Sequence, residues 1–206
     1  MYIAIINYNM GNIKSVENAL KRIGADVRVT ASPGIIKNAA AVILPGVGAY
    51  RDAIKNLNES GLYDSVTSAV SSGKPFLGIC IGLQLLFEYS MEGGKNPGLG
   101  IFKGMVKKIP HGVKIPHMGW NRLKILKKGS RLLKDIKDGE SFYFVHSYHA
   151  VCADMGIVSS MTDYGAEIVS SIEKDNVFGL QFHPEKSSLM GLRILENFLS
   201  ITGDKL

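Results

Sequence analysis

The sequence predicts an α/β protein, a mostly parallel twisted sheet with helices on both faces and an antiparallel extension in its second half. Two observations carry that expectation. In the first half, short apolar runs alternate with segments of helical period. Strands covered on both faces are apolar at nearly every position, and the intervening helices supply right-handed crossovers between parallel neighbours. In the second half, strand-like runs follow one another too closely for crossover helices, which favours antiparallel pairing.

Taken in order, residues 2–7 form a β-branched run that ends in the polar Asn7, Tyr8 and Asn9. Ile13, Val16, Leu20 and Ile23 then recur at helical spacing, and Gly24 closes that helix. Strands are expected over 27–30, 41–44 and 75–79, with helices over 50–57, 62–71 and 83–89. Beyond the turn-rich 93–98, strands are expected over 105–109, 122–126, 141–145, 150–153 and 168–172, as an insertion on the same sheet. A buried strand over 177–182 and a helix over 189–199 follow. With 46% hydrophobic and 20% charged residues, 206 residues suffice for one sizeable core and exclude a disordered or coiled-coil chain. No internal repeat or linker appears, so one domain over 1–206 is expected.

The net charge of +6 comes from scattered side chains, with no basic run of the kind that marks nucleic-acid binding. Two cysteines, Cys80 and Cys152, do not make a disulfide scaffold. The N-terminal apolar stretch is too short for a secretory leader, and no stretch reaches the length of a membrane span. A cytoplasmic protein with neither a membrane nor a nucleic-acid partner is expected.

Chemistry concentrates first at Gly78-Ile79-Cys80-Ile81-Gly82-Leu83-Gln84, where a strand leads into a helix through Gly-x-Cys-x-Gly. This is the nucleophile-elbow pattern with sulfur as nucleophile, and the glycines leave room for a strained turn. Such a turn places the thiol at a helix N-terminus, where partial positive charge favours the reactive thiolate. Cys152, inside a strand-like run, reads as a buried structural residue. A thiolate needs a base and the base an orienting partner. Phe182-His183-Pro184-Glu185 supplies both after a buried strand, with Pro184 stiffening the turn between them. Pro45-Gly46-Val47-Gly48 is a glycine-rich turn after another buried strand. It suits an oxyanion hole, with one donor from the Val47 or Gly48 N–H and the second from Ile81 N–H. Dinucleotide and P-loop glycine patterns are absent, and the five histidines show no metal-ligand spacing with cysteine, so no cofactor and no metal are expected.

The elbow and Phe182-His183-Pro184-Glu185-Lys186-Ser187 resemble class I (triad-type) glutamine amidotransferases, which have a flavodoxin-like sheet. Four further segments are similar to the glutaminase subunits of imidazole glycerol phosphate synthase: Tyr8-Asn9-Met10-Gly11-Asn12, Pro45-Gly46-Val47-Gly48, Pro116-His117-Met118-Gly119-Trp120-Asn121 and Tyr143-Phe144-Val145-His146-Ser147-Tyr148. The resemblance implies that Cys80 attacks the glutamine carboxamide, His183 handles the protons and Glu185 orients His183. Gly48, Gln84, Ser147 and Tyr148 would hold glutamine, and Gln84, one helical turn after Cys80, is spaced to face the same pocket. The resemblance also implies a partner, a (β/α)8 cyclase subunit in a 1:1 heterodimer that receives ammonia through a channel. Asn12, His117, Trp120, Asn121 and Lys186 are candidates for the docking or signalling face, with filling of a local core as the alternative for His117 and Trp120. The competing readings are the same glutaminase serving another synthase and a non-catalytic regulatory subunit.

Overall fold

The computed structural model describes residues 1–203. Five parallel strands lie side by side in the order β2 (Val27–Thr30), β1 (Ile3–Ile6), β3 (Ala41–Gly46), β4 (Phe76–Cys80) and β14 (Val177–Leu180). The antiparallel β13 (Glu167–Lys174), β12 (Val158–Asp163) and β9 (Lys124–Ile125) extend the same sheet beyond β14. Every residue of β1, β3, β4 and β14 is buried. Each large apolar side chain buried in this way contributes about 1.5–3 kcal/mol against leaving it in water.

Among the described residues the α-helices are α1 (Ile13–Arg22), α2 (Pro33–Asn38), α3 (Tyr50–Glu59), α4 (Tyr63–Ser71), α5 (Ile81–Leu85) and α6 (Ser188–Ile201). The connections from β1 to β2 and from β2 to β3 run in opposite directions across the sheet, so right-handed crossovers send α1 and α2 to opposite faces. α1 packs with α6, and α2 packs with α4. α1 keeps Val16, Ala19 and Leu20 inward and ends with Lys21 and Arg22, whose charge suits the carbonyl end of the helix.

Two smaller sheets complete the chain, and here the structure departs from the sequence reading. One sheet runs β11 (Tyr148–Cys152), β7 (Phe102–Lys108), β5 (Phe87–Ser90), β6 (Asn96–Pro97), and the other pairs β10 (Ser141–His146) with β8 (His117–Arg122). Of the second-half strands before β14, only β13, β12 and β9 therefore lie on the main sheet, where one continuous insertion was expected. The helix expected over 83–89 stops at Leu85, because Phe87–Ser90 pairs with β7 instead, Tyr89 facing Met105 and Ser90 facing Val106. The strand expected over 122–126 is reduced to β9, and α2, β8 and β12 were not foreseen.

Candidate active site

Cys80 is the last residue of β4, and α5 begins at the next residue. Its backbone sits at φ 55° and ψ −106°, a left-handed conformation that costs on the order of 1–3 kcal/mol outside glycine. The neighbouring glycines make this turn sterically possible. A Cβ on Gly78 would stand 2.5 Å from the Gly82 carbonyl oxygen, and one on Gly46 would stand 2.7 Å from both the Ile81 Cβ and the Tyr8 Oη. Tyr8 is fully buried and donates its hydroxyl to the Pro45 carbonyl at 2.8 Å. Burial first, and the Cys80 sulfur second, hold its phenol well above the usual tyrosine range.

β14 pairs with β4 so that Leu180 lies opposite Ile79, which brings the chain just beyond β14 alongside the elbow. Pro184 opens a short 3-10 turn, and that turn folds Glu185 back onto His183. His183 Nδ1 is 2.8 Å from Glu185 Oε1, and both side chains are 1% exposed. The carboxylate accepts from the ring, which leaves Nε2 as the working nitrogen; Nε2 is buried and has no hydrogen-bond partner among the described residues. Burial on its own would lower the proton affinity of His183, but the Cys80 sulfur and the Glu185 carboxylate outweigh it and push the pKa up to about 10. The imidazole therefore holds a proton at neutral pH. A side chain the sequence reading missed, Gln181, donates its Nε2 to Cys80 Sγ at 3.7 Å. It is fully buried directly after β14.

Cys80 opens into a cavity of about 250 Å³ that Val47, Gly48, Ile81, Gln84, Ser147 and Tyr148 also line. All the residues expected for the oxyanion hole and for glutamine thus face one space with the thiol. Gln84 Nε2 donates to the Tyr148 carbonyl at 2.9 Å and to Gln181 Oε1 at 3.1 Å. Its Oε1 is buried and has no partner among the described residues, an acceptor left free for a ligand. Glu92, another residue the sequence reading missed, lines the same cavity and accepts the Tyr50 N–H at 2.9 Å at the start of α3. It brings a carboxylate suited to an ammonium group; its place in a turn-rich loop gave no hint of this. A larger groove of about 780 Å³ beside Lys37, Asp64 and Lys74 contains neither the cysteine nor the His–Glu pair. Among the described residues, no three His, Cys, Asp or Glu side chains converge as a metal site would need.

The candidate docking residues separate. Trp120 is 54% exposed and meets the Tyr143 ring edge-on at 6.2 Å. The exposed Lys186 places its ammonium 5.7 Å from the same ring, so Trp120, Tyr143 and Lys186 form one surface patch. Asn12 is half-buried at the start of α1, where its carbonyl accepts from the N–H groups of Ser15 and Val16. His117 is 2% exposed and stacks between Phe144 (4.8 Å) and Tyr164 (3.9 Å). It fills a local core, so the expectation that its side chain presents itself on a docking face is corrected. Asn121 is half-buried and bonds inward to His117 and to the Asp163 carbonyl.

Comparison with known proteins gives a consistent result. The family model for glutamine amidotransferase class-I matches residues 4–201. The chain is 54% identical over 196 residues to the imidazole glycerol phosphate synthase subunit HisH of Caldanaerobacter subterraneus subsp. tengcongensis, covering 95% of this chain and 96% of that one. It is 52% identical over 199 residues to the subunit of the same name from Aquifex aeolicus, covering 96% of each. Among solved structures, PurLQS from Thermotoga maritima superimposes with a TM-score of 0.76 at 20% identity, covering 97% of this chain and 98% of that one, a likeness of fold.

Proposed function

The chain belongs to the class-I glutamine amidotransferases, and on that premise we propose that it is the glutaminase subunit of an imidazole glycerol phosphate synthase, acting in the cytoplasm in histidine biosynthesis. In this reading residues 1–206 work as one domain. The reading rests above all on the buried His183–Glu185 pair, 2.8 Å apart, beside a cysteine held at positive φ.

The mechanism follows from that arrangement. Glutamine enters the cavity with its ammonium toward Glu92 and with Gln84 Oε1 as a further acceptor. Cys80 Sγ attacks the carboxamide carbon, and the developing oxyanion is met by backbone N–H groups of Val47 or Gly48 and of Ile81. His183 gives its Nε2 proton to the departing nitrogen, so that ammonia leaves and a glutamyl thioester remains. A water molecule then loses its proton to His183 as it attacks the thioester carbon, and glutamate departs with Cys80 restored. Glu185 keeps the imidazole in the required tautomer throughout.

The proposed partner is a (β/α)8 cyclase subunit in a 1:1 heterodimer, which receives the ammonia and forms imidazole glycerol phosphate and an aminoimidazole carboxamide ribotide. The patch of Trp120, Tyr143 and Lys186, joined by Asn12, is its proposed docking face. The test is steady-state glutamine hydrolysis with and without a candidate cyclase subunit and its nucleotide. Stimulation by the cyclase is expected, and Cys80→Ala should abolish glutamine-dependent synthesis while ammonia-dependent synthesis by the partner survives. Stimulation by a different synthase, with none by the cyclase, would overturn the assignment of partner.

A further inference from the structure

Strand β8 presents Met118 and Trp120 outward, 62% and 54% exposed, and turns His117 inward. From His117 a chain of hydrogen bonds runs to the wall of the glutamine cavity. Asn121 Nδ2 lies 3.2 Å from His117 Nε2, His117 Nδ1 lies 3.0 Å from His146 Nε2, and His146 Nδ1 lies 2.9 Å from the Tyr148 carbonyl oxygen. That carbonyl also accepts Gln84 Nε2 at 2.9 Å.

The proton positions in this chain are fixed from both ends. A carbonyl oxygen can only accept, so His146 carries its proton on Nδ1. Burial pushes the pKa of His146 down to about 3 and that of His117 down to about 4, so both rings are neutral near pH 7. Neutral His146 therefore offers a lone pair at Nε2, and His117 must donate from Nδ1. His117 Nε2 is then an acceptor, and only an N–H can face it. The orientation of Asn121 meets that need independently: its Nδ2 also donates to the Asp163 carbonyl at 2.8 Å, and its Oδ1 accepts the Arg122 N–H at 2.8 Å. One proton arrangement satisfies every bond, and from Asn121 through His117 and His146 each link donates toward the Tyr148 carbonyl.

We propose that Asn121, His117 and His146 form a one-way hydrogen-bond relay that holds the Tyr148 carbonyl, and through it Gln84, in the glutamine-binding position, so that the state of β8 is felt in the cavity. The proposal rests on the glutaminase reading. All three are positioning residues, and their effect on glutamine passes through Tyr148 and Gln84.

The test combines 15N NMR of the ring nitrogens with glutamine affinity in a Cys80→Ala background. In the parent protein both His117 and His146 should carry the ring proton on Nδ1 at neutral pH, and a proton on Nε2 of either ring overturns the relay. Asn121→Asp is close in size but cannot donate, so it forces a proton onto His117 Nε2. It should shift the ring nitrogens of His146, which it does not touch, and weaken glutamine binding roughly three- to tenfold. Asn121→Leu removes the donor without forcing that proton and should leave the His146 tautomer unchanged. A displaced His146 tautomer with unaltered glutamine affinity overturns the positioning role. A parent protein that binds no glutamine overturns the glutaminase reading instead, and the relay with it.

Discussion

The Leu44 carbonyl oxygen of β3 occupies the space that a Cβ on Gly82 would take. α5 can therefore follow Cys80 directly only because residue 82 lacks a side chain, and the thiol's position depends on that close approach of helix to strand. Gly82→Ala should lower stability by about 1–3 kcal/mol or more, since the obstacle is backbone that cannot rotate away. Urea unfolding measures it, and a variant with the wild-type midpoint and slope would contradict the contact.

Gly48 sits at φ +97° on the cavity wall, in a region that β-branched residues avoid. Gly48→Val should turn the peptide that presents the oxyanion donor and reduce kcat on the order of 10²–10³-fold, the usual loss for one such donor. Alkylation of Cys80 by iodoacetamide, which needs no oxyanion hole, should proceed at the wild-type rate. Wild-type turnover of glutamine in this variant would remove residues 47–48 from the catalytic account.

His183 titrates at about 10 when folded, against an ordinary value of 6.5. Folding therefore favours its protonated form. The associated stability is fully present below pH 6.5, declines as pH rises, and is gone once pH passes through about 10. Glu185→Gln removes one of the groups that raise the ring. The alkaline limb of the glutaminase pH–rate profile should move to lower pH, and kcat should fall by roughly 10²–10⁴-fold. An unmoved alkaline limb would show that Glu185 does not set the proton affinity of His183.

The sequence made the parallel half of the fold legible because fully buried strands have to be apolar, as β3 and β4 are along their length. The elbow was legible because only glycine fits at Gly78 and Gly82. The segment 83–89 misled because Leu83, Leu85, Leu86 and Phe87 satisfy a helical stripe and a buried strand equally well; pairing of Phe87–Ser90 with β7 decides between them. α2 escaped notice because six residues opening on Pro33-Gly34 carry too little periodicity. Gln181 and Glu92 join the site through partners distant in sequence, Gln84 and Tyr50, and no local pattern marks either one. His117 stood as a candidate for the docking or signalling face with a local core as the alternative; strand alternation in β8 sends it inward with Asn121 and leaves Met118 and Trp120 outside.

β14, which follows β4 in the chain only after all the intervening strands, inserts between β4 and β13 and carries the base to the thiol. During synthesis the nucleophile leaves the ribosome long before its proton-transfer partners do. A nascent chain that has emerged only through β13 bears a cysteine on an incomplete sheet, with no imidazole beside it and an unfilled slot next to β4. Hydrolytic competence thus waits for the slot to close, and a premature stop before that strand should leave a product that cannot release ammonia.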